Sequence, residues 1–228
     1  MKTISAAILS AGIIILGIFI KAGLDNFADR DRFVTVKGLA EREVMSNKVV
    51  WPLPYKCVSN DMQQLYDEIE KNKEIVVTFL KEGGISDSEI IVSAPAVTDR
   101  LAQSYIPDNV KFRYQAEAVI TVISPQVEKV IELMGKQIEL MKDGIIISDE
   151  YNYQTQFEYT ALNDIKPEMV EEATRNARAV AQKFAEDSDC KLGNIRQATQ
   201  GQFSITSDET TPQIKNIRVV TTVKYELK

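Results

Sequence analysis

The sequence predicts an α+β fold: internally repeated strand-helix-strand-strand units whose antiparallel sheet is covered on one face by helices. Three observations carry this. Phe112–Ile123 and Ile217–Leu227 alternate apolar and polar residues, as half-buried strands do. A long amphipathic stretch, Pro167–Gly193, repeats a small residue every four positions at Ala173, Ala177, Ala181 and Ala185. The order strand, helix, short turn, strand, polar loop, long alternating strand occurs twice, over about 48–123 and about 145–227.

Each element has its own grounds. Ile4–Ile20 is uncharged and rich in Ile, Ala and Gly, with Lys2 before it and Lys21 after. A membrane span needs about 17–25 apolar residues, and a signal-peptide core about 7–15. No small-x-small cleavage site stands near Lys21. Residues 1–24 are therefore expected to form an N-terminal membrane anchor, with a cleaved signal peptide as the alternative. Residues 25–32 read as a polar linker. Phe33–Met45 and Lys48–Cys57 are two strands joined at Ser46-Asn47 in an expected hairpin. Pro52 and Pro54 remove two N–H donors from one side of the second strand, which predicts an edge or a bulge there.

Ser59-Asn60-Asp61 offers caps for a helix with Met62, Leu65, Ile69, Val76, Phe79 and Leu80 on its apolar face, ended by Gly83-Gly84. Glu89–Thr98 is an expected strand, followed by a loop with Pro107. After Phe112–Ile123, Pro125 opens a helix that ends near Lys142-Asp143-Gly144. Ile145–Tyr159 reads as a long strand with Tyr151, Tyr153, Phe157 and Tyr159 on one face. In the alanine-laddered helix, Pro167 suits the first turn. Val170, Val180 and Phe184 are expected beside the ladder, and Glu171 with Arg175 makes an i,i+4 pair. Strands over Ile195–Ile205 and Ile217–Leu227 close the chain.

Composition excludes several function classes. The net charge of −6 argues against a nucleic-acid partner, because phosphate binding needs a basic surface. The chain has no histidine, which removes Ser-His-Asp and Cys-His catalysis and His-liganded zinc. Cys57 and Cys190 are too few for a disulfide framework. A single disulfide and two free thiols both remain open. Asp87-Ser88-Glu89 and Asp187-Ser188-Asp189 lack calcium-loop spacing and read as solvated helix termini. Asp149-Glu150 reads as a surface irregularity rather than an acid–base pair. The tyrosines of 151–159 read as core rather than as a binding platform. No catalytic, cofactor-binding or metal-ligating residue is assigned, and no cofactor is expected.

Several stretches together resemble the SIMPL-domain family of bacterial envelope proteins of unknown function. They are Val34-Thr35-Val36-Lys37-Gly38, Gly84-Ile85 followed by Glu89-Ile90, Tyr114, and the alanine ladder followed by Lys191-Leu192-Gly193 and Gly201. The resemblance spans residues 33–228. The chain departs from the family at Asp189, where glycine is common, and at Trp51-Pro52-Leu53-Pro54. The resemblance implies an extracytoplasmic, self-associating protein with a loose link to envelope or oxidative stress, and no catalytic residues. The expectation is a non-enzymatic structural or interaction module, held by its N-terminal helix on the periplasmic side of the inner membrane. The alternative is a ligand- or peptide-binding envelope protein, or a hydrolase. The identity of any protein partner stays open.

Overall fold

The computed structural model describes residues 12–21, 32–103, 109–148 and 151–228. Residues 12–21 are helical (α1). Among the described residues no helix is long and apolar enough to cross a membrane. The expected anchor and linker lie in part outside the described residues. The remaining elements are β1 (Phe33–Met45), β2 (Lys48–Ser59), α2 (Met62–Glu82), β3 (Ile90–Val92), β4 (Ala96–Asp99), β5 (Tyr114–Ser124), α3 (Val127–Lys136), β6 (Gln156–Glu158), α4 (Leu162–Asp187), β7 (Leu192–Gln200), β8 (Ser204–Thr206) and β9 (Ile214–Leu227). The chain divides into two compact units, one of residues 44–162 and 207–215, the other of 1–43, 163–206 and 216–228. The class is α+β as expected, but there are two sheets where one was expected.

In the first unit the strand order is β3-β5-β2-β6, with β4 also on β5. β2 and β5 pair antiparallel from Val49↔Ser124 to Ser59↔Tyr114. Their inward residues Trp51, Leu53, Ala118 and Ile120 meet Leu65, Ile69, Val76 and Leu80 of α2. Asp61 caps α2 by accepting the Gln64 N–H at 2.9 Å. Leu65 and Leu80 are fully buried; truncating either to alanine removes about 2–5 kcal/mol. The helix expected from Pro125 to Gly144 is shorter. α3 ends at Lys136 and tightens into a 3-10 turn, Gln137–Asp143, closed by Gly144 at φ 81°. The tighter winding turns Ile138 and Met141 outward and buries Leu140.

Two strand predictions fail here for one reason. β2 is not an edge: β6 pairs with Lys48–Val50, Tyr55 bridges Ile147, and the Ser148 N–H donates to the Pro54 carbonyl at 2.8 Å. The proline pair does face away from β5, and on that side no ladder forms between Val50 and Tyr55. With no donors to pair against, the neighbouring segment cannot stay extended. From Ile147 to Gln156 it spends nine residues against five on β2, and the surplus coils into a 3-10 turn at Tyr151–Tyr153. The long strand expected over Ile145–Tyr159 therefore shrinks to β6.

In the second unit the order is β1-β9-β7, with β8 on β9. The hairpin expected between β1 and β2 is not formed, because β1 pairs with β9. The Leu227 N–H donates to the Arg32 carbonyl at 3.1 Å, which fixes the antiparallel register at one end. α4 starts at Leu162, so Pro167 stands in its second turn and not its first. Met169, Ala173, Ala177, Ala181 and Ala185 are all buried. Ala177 and Ala181 form a small core with Val36, Val223 and Tyr225. Val180 and Phe184, expected beside the ladder, are exposed. Asp189 follows α4 at φ 52°, the left-handed conformation that usually falls to glycine.

Small side chains on α4 set how close the helix comes. A Cβ built on Gly38 would lie 1.8 Å from the Ala173 carbonyl oxygen and 2.4 Å from the Ala177 nitrogen. The helix backbone rests directly on β1, and glycine is what permits it. In both sheets the last long strand, β5 or β9, lies between a long strand and shorter ones. The predicted repeat is nevertheless not built as expected. Residues 145–159 do not open the second copy; β1 takes that place in the sheet.

Candidate functional site

The chemistry-bearing residues singled out in the sequence are not brought together. Among the described residues no group of three or more His, Cys, Asp or Glu is placed to hold a metal ion. Asp187 pairs with Lys183 at 2.9 Å on the surface of α4. Asp149 and Glu150 lie outside the described residues. Tyr151 is exposed, and the Tyr153 hydroxyl donates to Glu117 at 2.7 Å, so the tyrosines form neither the expected core face nor an open platform. Both cysteines are free. Cys57 is buried beside Asn72, whose Nδ2 donates to its sulfur at 3.3 Å; burial pushes this thiol above its usual pKa. Cys190 donates to the Ser188 carbonyl and accepts from Arg32.

Asp87 and Glu89, read together as solvated, divide into two roles. Asp87 is exposed and pairs with Lys81 at 2.6 Å. Glu89 is buried, because the 3-10 turn Asp87–Glu89 directs it under β5. There its carboxylate accepts the Ser124 hydroxyl at 2.5 Å, the Ser86 hydroxyl at 2.6 Å and the Ser86 N–H at 2.9 Å. These donors, Ser124 foremost, hold its pKa at about 2. The arrangement is a clasp between the turn that follows α2 and β5.

One concave site in the first unit gathers polar groups over apolar walls. A cavity of about 350 Å³ opens beside the interruption between β3 and β4 and is lined by Tyr55, Glu70, Lys73, Ser93, Pro95 and Ala118 among others. The Ser93 N–H still donates to the Val119 carbonyl of β5 at 3.1 Å, but Pro95 has no N–H to give, and from Val92 to Ala96 four residues stand against three on β5, so the ladder is interrupted at 94–95 and the gap appears. Lys73 and Glu70 form an ion pair at its rim. Burial, with Cys57 and Glu70 adding, pushes the Tyr55 phenol up to about 12. Tyr55 is thus neutral at physiological pH; its hydroxyl donates to the Ile69 carbonyl at 3.5 Å, which leaves its oxygen as an acceptor. The sequence signal for this gap was Pro95 inside the segment read as one strand, Glu89–Thr98. Nothing in the sequence marks Tyr55.

The second unit presents an open strand edge. Among the described residues β1 pairs with β9 alone. Arg32 directs its carbonyl at β9, so alternation turns the backbone groups of Thr35, Lys37, Leu39, Glu41 and Glu43 to the free side. The Leu39 carbonyl there accepts Asn176 Nδ2 of α4 at 2.8 Å. Four-residue spacing places the exposed Val180 and Phe184 on the same flank of α4 as Asn176, bordering that edge.

No curated protein matches the chain. A family model described as SIMPL, protein of unknown function (DUF541), matches residues 34–225. That span takes in every strand and helix from β1 through most of β9, including Gly38, Glu89 and the alanine ladder. The chain belongs to the SIMPL family.

Proposed function

We propose that this chain is a non-enzymatic structural or interaction module of the bacterial cell envelope. It is held on the periplasmic side of the inner membrane by its N-terminal segment and acts as a homo-oligomer. The observation that carries the reading is the uncharged run Ile4–Ile20, long enough to span a bilayer. It is supported by the use made of the buried Glu89 carboxylate, which is committed to holding the turn after α2 to β5. The link to envelope stress rests on the family resemblance alone. Membrane fractionation of the full chain, with N-terminal sequencing of the product, tests the anchor. The expected product pellets with membranes, resists a carbonate wash and keeps Met1–Ile20. A soluble product starting near Lys21 overturns it. Screening the purified chain on ester, phosphate, peptide and glycoside substrates tests the non-enzymatic part. A rate abolished by one point substitution refutes it.

The Tyr55 cavity favours a second reading, a binding protein for a small, partly apolar ligand with a hydrogen-bond donor. A compound library that raises the melting temperature of the parent chain but not of Tyr55→Phe supports this reading.

A further inference from the structure

We propose that the free edge of β1 pairs antiparallel with β1 of a second copy, on a two-fold axis through Leu39. The proposal rests on the homo-oligomer reading above and names its contact.

β1 runs 13 residues and contains no proline. A long, regular edge of this kind is a template for strand addition unless something blunts it. The other end of this sheet is treated differently: β7 shifts register twice, between Leu192 and Ile195 and between Ile195 and Gln197. Such irregularities protect an edge. β1 has a donor or acceptor at every second residue on its free side, the Leu39 carbonyl, which accepts Asn176 Nδ2, keeping its second lone pair for a partner's N–H; its outward side chains on that strand face are exposed at Thr35, Lys37, Leu39, Glu41 and Glu43.

The residue pattern selects the partner and the register. With the two-fold axis at Leu39, Lys37 of each copy lies opposite Glu41 of the other, Leu39 opposite Leu39, and Thr35 opposite Glu43. Both charge pairs are then opposite in sign and the exposed leucines cover each other. An axis at Lys37 opposes Lys37 to itself, and an axis at Glu41 opposes Glu41 to itself; each sets like charges together. An axis at Gly38 sets Lys37 against Leu39 and Thr35 against Glu41, which pairs no charge. An axis at Ala40 sets Lys37 against Glu43 but Leu39 against Glu41. The axis at Leu39 alone satisfies both charges and the apolar residue. Glu41 already meets Arg218 of its own chain at 3.3 Å, which leaves its second oxygen for the partner's lysine. The exposed Val180 and Phe184 on the same border add apolar area to a contact that is small for a strand pair alone. Anchoring in one membrane raises the effective concentration of the copies.

The test is cross-linking of the full chain in membranes. Opposed residues in an antiparallel hydrogen-bonded pair stand about 5.5 Å apart between Cα atoms, within disulfide range. Leu39→Cys is therefore expected to give a disulfide dimer on mild oxidation, and Thr35→Cys, far from its own copy in this register, is not. The parent chain, with Cys57 and Cys190 alone, sets the background. In the Leu39→Cys background, Lys37→Glu and Glu41→Lys each place like charges opposite one another twice and are expected to lower dimer yield about tenfold. Co-expression of the two charge variants restores both opposite pairs and is expected to restore the dimer. Both residues are exposed, so circular dichroism of each variant is expected to match the parent. A particle mass in detergent equal to one chain overturns both the homo-oligomer reading and this contact. A larger mass without a Leu39→Cys dimer, or a dimer unaffected by either charge variant, overturns the β1 contact alone.

Discussion

Gly38→Ala is the sharpest probe of how α4 sits on its sheet. The added Cβ would meet the Ala173 carbonyl oxygen at 1.8 Å and the Ala177 nitrogen at 2.4 Å, and both atoms are backbone. Neither can turn aside, so the helix must lift by roughly 1.5 Å to restore ordinary contact, and a gap of only 0.5–1 Å already forfeits a quarter to a half of each dispersion contact. The ladder from Ala173 to Ala185 would lose contact along with Gly38. Overpacking of this kind costs about 1–3 kcal/mol, offset by roughly 0.5–1 kcal/mol from replacing a flexible glycine in a strand. The expected net loss is about 1 kcal/mol, a fall of roughly 2–4 °C in melting temperature for a chain of this size. Urea denaturation followed by circular dichroism measures it. Ala177→Gly supplies a control. It removes only the side-chain contact at 2.8 Å and leaves the two backbone contacts, so it is not expected to rescue Gly38→Ala. An unchanged midpoint in Gly38→Ala, or full rescue by Ala177→Gly, would mean that strand and helix are not in direct backbone contact.

Three further outcomes are expected. Ala181→Leu should cost about 1–3 kcal/mol, because Ala181 is fully buried mid-ladder, and an undiminished urea midpoint would contradict that burial. Glu89, with a pKa of about 2 against an ordinary 4.5, lets the folded chain keep its carboxylate ionised where the unfolded chain binds a proton. Its contribution is present above pH 4.5 and is lost as pH falls from there to about 2. Glu89→Gln should therefore lower stability at pH 7 and flatten the fall between pH 4.5 and 2; equal slopes in parent and variant would refute the clasp. Asp189→Gly should raise stability by about 0.5 kcal/mol, since Asp189 holds φ 52° where glycine carries no steric cost. A lowered midpoint in thermal melts would show that the aspartate side chain matters more than the backbone.

Periodicity disclosed which face of an element is buried, and little about its neighbour. The alternation in β5 and β9 and the ladder of α4 were legible because each buried position follows from local geometry. The partner of β1 was not, since Ser46-Asn47 suggested a hairpin and the strand instead pairs with the far end of the chain. The prolines of β2 were read correctly as removing donors from one side. Their effect was on the segment beside them, which coiled where a strand had been expected. Glu89 looked solvated because its environment is supplied by Ser124, a residue remote in sequence. The Tyr55 cavity arises where the ladder between β3 and β4 is interrupted, a tertiary event that residue pattern marks only through Pro95.

The placement of β9 has a consequence for how the chain is made. Its sheet seats β9 between β1 and β7, so the two outer strands share no hydrogen bonds of their own. β1 emerges early in synthesis and its partner only after Ile214 has been added. Residues 44–162 carry α2, β5 and their core and gain partners within a continuous run. The second unit waits, with an apolar strand exposed, until almost the whole chain has been delivered. A chain interrupted before Ile214 keeps β2, α2 and β5 but leaves β1, α4 and β7 without a common sheet. Nonsense changes late in the message therefore strike this unit first, because β1 and β7 then lose the strand they both pair with.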